Sequence, residues 1–153
     1  MMQPHSELDP KTSLKVTRTI RASAERVFDA FVVPELRRQW WAVQPGDRCT
    51  VCEIDGRVGG DYRINMITGN GEFTMTGTFR EFVRPKKLVF TWSWPTEEVR
   101  DTLVTILFEP SGKNVTFLTI IHSGFSTPEY RDMHSEGWTG CAGTLAAFLE
   151  SAG

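Results

Sequence analysis

Cys49-Thr50-Val51-Cys52 is the string in this sequence whose spacing comes nearest to a metal or redox motif. A structural zinc site takes four ligands, usually from two such pairs, and no second pair exists. A redox pair works best at a helix N-terminus, where the thiol pKa is lowered. Here the string opens a strand candidate, Cys49–Asp55. In a strand, residues i and i+3 point to opposite faces. The expectation is therefore two structural thiols and no metal. With Cys141 the count is three, odd and low, which fits a reducing compartment better than a disulfide framework.

His122 has the second recognisable chemistry. It follows Ile120 on the inward parity of a strand candidate, where it could serve as a general base or orient a ligand. It could equally be a core histidine held by a backbone carbonyl. No serine, cysteine or carboxylate is placed by the sequence to complete a triad with it. Asp55 and Arg57 flank Gly56 and could pair as alternate strand residues, which reads as a structural ion pair or turn anchor. Gly59-Gly60 precedes a strand rather than a helix, so it is not a phosphate loop. No catalytic residue is assigned.

Aromatic residues give a third pattern. Phe90, Trp92 and Trp94 share parity, so three large rings should face one side of a strand. The next strand candidates present Val104, Ile106 and Phe108, then Leu118, Ile120 and His122, to the same side. Such a surface is either packed core or the wall of a small-molecule pocket. Two tryptophans so close on one strand are hard to bury without partners for their N–H groups. The expected ligand-binding set is drawn from Trp41, Tyr62, Phe90, Trp92, Val104, Ile106, Leu118, His122 and Trp138.

The elements that must position these residues are legible in periodicity. Leu14 to Arg21 alternates as a half-buried strand, with Arg18 out of pattern. Ser23 offers an N-cap to a helix carrying Val27, Phe28 and Phe31 on one face, and Pro34 ends it and starts another through Trp41. From Cys49 the period changes to two. Strand candidates are Cys49–Asp55, Asp61–Thr68, Glu72–Phe82, Lys87–Trp94, Thr102–Glu109 and Val115–Ser123, with Gly and Pro turns between. Short connections imply antiparallel neighbours. Thr127-Pro128-Glu129 then starts a helix of about 24 residues whose stripe is Tyr130, Met133, Trp138, Cys141, Leu145, Phe148 and Leu149. Gly137, Gly140 and Gly143 lie in that helix, each costing roughly 1 kcal/mol against alanine. Close approach to the sheet, room for a ligand, or a break near Gly137 would account for them. The class is α+β: a curved antiparallel sheet with one apolar face, covered by the long terminal helix.

Composition bounds the rest. The chain has 153 residues, 40% hydrophobic and 24% charged, with a formal net charge of −2. That favours one domain, over residues 14–151, with residues 1–13 as a disordered polar tail. Nothing resembles the clustered positive charge that nucleic acids or anionic membranes require. No apolar run approaches the ~18–20 residues of a membrane span, and the N-terminus lacks the features of a secretory signal. A cytoplasmic location is expected.

Several segments together carry a resemblance. They are Ala24-Glu25-Arg26-Val27-Phe28-Asp29-Ala30-Phe31, Trp40-Trp41, Cys52-Glu53-Ile54-Asp55-Gly56-Arg57-Val58-Gly59-Gly60-Asp61-Tyr62-Arg63, Leu88-Val89-Phe90-Thr91-Trp92, His122-Ser123-Gly124-Phe125 and Glu136-Gly137-Trp138. In this order, from about Leu14 to Leu149, they resemble the family named for activators of the 90-kDa heat-shock protein ATPase. The resemblance implies the START-like helix-grip fold, shared with birch-pollen-type allergens and polyketide cyclases. It does not imply one function, because that superfamily includes hydrophobic-ligand carriers, cyclases, self-sacrificing resistance proteins and chaperone co-factors. The eukaryotic chaperone activators carry a further N-terminal domain with no counterpart in these residues.

Three functions compete. A cup for an apolar or aromatic small molecule ranks first, without a cofactor. A cyclase- or hydrolase-type enzyme using the same cup would need polar residues inside, and only His122 and Tyr62 qualify. A chaperone co-factor would act through the outer sheet face, whose residues, such as Thr74, Thr76, Thr78 and Arg80, are mostly uncharged. A chaperone contact and a homodimer stay open as partners.

Overall fold

The computed structural model describes residues 8–151. The elements are β1 (Ser13–Ile20), α1 (Ala24–Val32), α2 (Pro34–Trp40), β2 (Cys52–Ile54), β3 (Asp61–Thr68), β4 (Gly71–Val83), β5 (Lys87–Trp92), β6 (Thr102–Gly112), β7 (Val115–Ser123) and α3 (Pro128–Ser151). The strands form one seven-stranded sheet in the order β1-β7-β6-β5-β4-β3-β2, antiparallel throughout. Every strand from β3 to β7 neighbours its predecessor, as short turns require. Only β1 pairs out of sequence, because the α1–α2 hairpin carries the chain from one edge of the sheet to the other. Residues 1–7 of the expected tail lie outside the described residues. The remainder of that segment is a turn closed by Thr12 N–H donating to Asp9 O at 3.0 Å, and Ser13 is already in β1.

Local chemistry sets the helix starts. The Ser23 hydroxyl accepts from Arg26 N–H at 3.3 Å and caps α1. Pro34 occupies the first turn of α2, where no donor is needed. Thr127 Oγ1 accepts from Tyr130 N–H at 3.3 Å at the head of α3.

α3 runs unbroken over 24 residues despite its glycines, and each of them has a different neighbour. A Cβ on Gly140 would stand 2.5 Å from Val43 O, so the loop after α2 lies directly on the helix there. At Gly143 the nearest group is the Arg18 guanidinium, 3.9 Å from the same hypothetical atom. The residue that broke the β1 alternation thus reaches over the helix. Around Gly137 nothing lies within 4 Å. The stripe itself differs from the expected one at a single point. His134 faces inward, 6% exposed, whereas Met133 is 50% exposed. The spacing 130, 134, 138, 141, 145 follows one helical face more closely than a stripe through Met133, and geometry overrides side-chain polarity.

One half of the sheet is packed solid. Val104, Ile106 and Leu118 are fully buried, and Phe28, Phe31 and Phe108 pack edge to face beside them with centroids 5.1–5.6 Å apart. α1 lies over β6 and β7 and fills the space beneath them. The gap between sheet and α3 is consequently displaced toward β3, β4 and β5.

The segment before β2 departs from the expected strand. Cys52 pairs with Ile64, but the next pair outward is Arg48 with Ile67. Four steps on one strand oppose three on the other, which is a β-bulge of one residue. Asn65, 1% exposed, holds it: its Oδ1 accepts from the N–H groups of both Thr50 and Val51 at 2.8 Å. One extra residue inverts parity, so Cys49 and Cys52 fall on the same face. The expectation that they point apart is corrected by this bulge.

Candidate functional site

Between β3–β5 and the first half of α3 lies a cavity of about 130 Å³. β3 and β4 contribute Met66, Thr68, Phe73 and Met75; β5 and the residues after it contribute Trp92 and Trp94. The loop after α2 gives Trp41 and Val43, and α3 gives Met133, His134, Gly137, Trp138 and Cys141. The walls are almost wholly carbon and sulfur. Gly137 leaves its share of the volume empty, and the close seat of Val43 on Gly140 brings Trp41 against the helix.

Of the residues expected to line a pocket, Trp41, Trp92 and Trp138 meet at this wall. Their rings contact one another pairwise, with centroids 5.6 Å (Trp41–Trp138), 6.2 Å (Trp41–Trp92) and 5.3 Å (Trp92–Trp138) apart. Val104, Ile106 and Leu118 do not reach the cavity, since α1 has filled their side of the sheet. Tyr62 and Phe90 border a separate void of about 10 Å³ that also touches Arg37. Tyr62 crosses over Gly77, where any side chain would clash with it, and donates to Thr91 O at 2.6 Å.

His122 sits behind the wall rather than in it, and its hydrogen bonds fix its chemistry. An indole N–H can only donate. Trp138 Nε1 donates to His122 Nδ1 at 3.0 Å, so that nitrogen is unprotonated. The Nε2–H of the neutral ring then faces Thr102 Oγ1 at 2.8 Å, whose own hydroxyl donates to Trp92 O at 2.7 Å. Every donor in this chain has an acceptor. His134 repeats the scheme: Trp92 Nε1 donates to its Nε2 at 3.3 Å, and its Nδ1–H faces Tyr130 O at 2.8 Å. Burial, followed by the neighbouring His134, pushes the His122 pKa well down; burial also lowers His134, to about 4, against the support of the Tyr130 carbonyl. Both rings are neutral with their lone pairs engaged, so neither is available as a general base. The expected general-base option for His122 is thereby removed.

Two of the lining residues carry an indole N–H that has no acceptor among the described residues and is sealed beneath the carbon surface of the wall. The Nε1–H groups of Trp41 and Trp94 are buried and unpartnered. Trp94 stacks on His134, centroids 4.8 Å apart, while Trp41 lies over the Arg37 guanidinium at 4.2 Å. Sequence reasoning missed Met66, Phe73, Met75 and His134. The first three were readable as inward parity on β3 and β4, and His134 as the four-residue step from Tyr130 to Trp138. Elsewhere, Asp55 and Arg57 form an exposed ion pair at 2.9 Å, as their alternation suggested.

A curved antiparallel sheet gripping a C-terminal helix defines the START-like, helix-grip class. Within it, the chain belongs to the family described as activator of Hsp90 ATPase homolog 1-like proteins, whose model matches residues 21–150. Among solved structures, a protein of Chromobacterium violaceum is 26% identical, with 91% of this chain and 97% of that chain covered and a TM-score of 0.78. The AHSA1 protein of Silicibacter pomeroyi is 25% identical, covering 92% and 99%, with a TM-score of 0.79. A Rhodobacter sphaeroides protein at 22% identity, covering 96% and 99%, shares the fold with a TM-score of 0.79. No curated protein matches. No helix among the described residues is long and apolar enough to cross a membrane.

Proposed function

We propose that this protein binds a small, largely apolar molecule in the cavity between β3–β5 and α3. The observation that carries this reading is an apolar cavity walled by Trp41, Trp92, Trp94 and Trp138, left open where Gly137 has no side chain. The volume sets the size. A dry cavity of about 150 Å³ accepts benzene, so about 130 Å³ suits one ring with a short substituent. Burying ~200 Å² of apolar ligand surface is worth roughly 5 kcal/mol before association costs, so about 10⁻⁴ M is the tightest affinity that burial alone supports. The neutral, fully engaged histidines favour binding over hydrolysis or cyclisation.

Titration with ethylbenzene and with acetophenone tests this. In ¹⁵N-labelled protein the indole N–H signals of Trp41 and Trp94 should move on titration. Indole signals unmoved by either compound at millimolar concentration would overturn the proposal.

A further inference from the structure

The apolar cavity shares its edge with an open groove of different character. Val43, Thr68, Phe73, Met133 and Gly137 line both. Gly137, whose missing side chain leaves open space, sits where the two meet. The groove adds the carboxylates of Asp47, Glu129, Asp132 and Glu136, and no lysine or arginine lines it. Three of these acids come from one face of α3. Glu129, Asp132 and Glu136 follow one another at steps of three and four, beside Met133 and Gly137 of the cavity wall. Asp47 is held by the loop after α2. Its Oδ2 accepts from Val43 N–H at 3.1 Å and from Gln44 N–H at 3.2 Å, which fixes the turn that seats Val43 on Gly140.

Only Asp132 is neutralised, by Arg131 at 2.9 Å. Among the described residues no side-chain cation stands within ion-pair distance of Asp47, Glu129 or Glu136. A cleft lined by one sign of charge focuses its field at the opening. This mouth therefore attracts cations and repels anions. The cavity behind it is walled by carbon and sulfur, where an ammonium group would lose its hydration with nothing to replace it. A molecule that satisfies both halves is divided in the same way, apolar at one end and positively charged at the other.

We infer that the cavity takes an organic amine: one aromatic or compact alkyl body beside Trp41, Trp92 and Trp138, joined through two or three carbons to an ammonium group in the groove among Asp47, Glu129 and Glu136. This names the ligand class of the cavity proposed to bind an apolar molecule, and it rests on that reading. The dimensions agree. Met133 at the mouth lies about one helical turn, ~5 Å, from Glu129, the reach of such a linker, and Glu136 adjoins Gly137. The same field works against fatty acids and other apolar carboxylates, whose head group would have to stand among these acids. Glu129, Asp132 and Glu136 are exposed, so the discrimination is screened by salt.

Three probes built on one phenyl ring test this: neutral ethylbenzene, cationic 2-phenylethylamine and anionic 3-phenylpropionate. Each is titrated into the ¹⁵N-labelled full chain at pH 7, with the indole N–H signals as readout. At about 20 mM salt the amine should bind at least about fivefold tighter than the carboxylate, and the ratio should fall below about twofold at about 0.5 M salt. The double variant Glu129→Gln, Glu136→Gln should bring the low-salt ratio below about twofold. Glu109→Gln, on the exposed outer face of the sheet, should leave it at the wild-type value. Ethylbenzene that binds, with the amine no tighter than the carboxylate, overturns this inference and leaves the apolar-cavity reading standing. Indole signals unmoved by all three compounds overturn both. An amine that shifts the backbone signals of Glu129 and Glu136 but no indole signal occupies the groove alone and overturns the inference, as does a low-salt preference undiminished in the double variant.

Discussion

Acid should weaken this fold through its two buried histidines before its carboxylates begin to protonate. In the unfolded chain a histidine titrates near 6.5. In the folded chain His134 titrates at about 4 and His122 also well below its usual value. Both are depressed, so between these limits the unfolded state binds more protons, and stability falls as pH falls. Above pH 6.5 the contribution is complete. For His134 alone, a difference of two to three pH units corresponds to about 3 kcal/mol over the whole window, of which about 2 kcal/mol is lost between pH 7 and 5. His122 adds in the same direction. A loss of 2 kcal/mol lowers the melting temperature of a chain this size by roughly 4–8 °C. Urea denaturation at pH 7 and 5 should show the loss. Histidine Cε1–H resonances locate it, because the signals of His122 and His134 should hold their neutral positions at pH 5.5. The third histidine, His5, lies outside the described residues. Titration of either buried ring with a midpoint near 6.5 would refute the tautomer argument, since it would mean the Trp138 or Trp92 donor does not occupy its lone pair.

Four further substitutions discriminate the roles assigned above. Gly140→Ala and Gly137→Ala should have opposite signs. The former drives a Cβ to 2.5 Å from Val43 O and should cost about 1–3 kcal/mol, whereas the latter enters open space and should gain about 0.5–1 kcal/mol while weakening acetophenone binding. Chemical denaturation of the pair checks this, and equal signs would contradict the packing described. Trp138→Phe leaves His122 Nδ1 without its donor and should cost about 2 kcal/mol or more, read from denaturation together with a shift of the His122 ring ¹⁵N signals. Asn65→Ala frees the N–H groups of Thr50 and Val51, and should destabilise by about 2 kcal/mol in urea denaturation.

Periodicity by itself determined most of the architecture. Alternation identified every strand of the sheet, Ser23 and Thr127 marked helix starts, and the run of short turns required antiparallel order. Parity also brought Trp92 to one wall and helical spacing brought Trp138 to the other. What parity could not supply was depth. Val104, Ile106 and Leu118 share the inward face with Trp92, yet α1 packs over their strands and leaves the cavity to β3–β5. Which half of a sheet stays open depends on how a distant helix docks, and no local pattern encodes that. The roles of His122 and His134 were hidden for a related reason: their tautomers follow from indole donors 16 and 42 residues away in sequence. The cysteine pair shows the limit most sharply. A single extra residue between Arg48 and Cys52, measured against Ile64 and Ile67, turns two thiols that alternation sends apart onto one face. Register is a relation between two strands, so only the tertiary structure decides it.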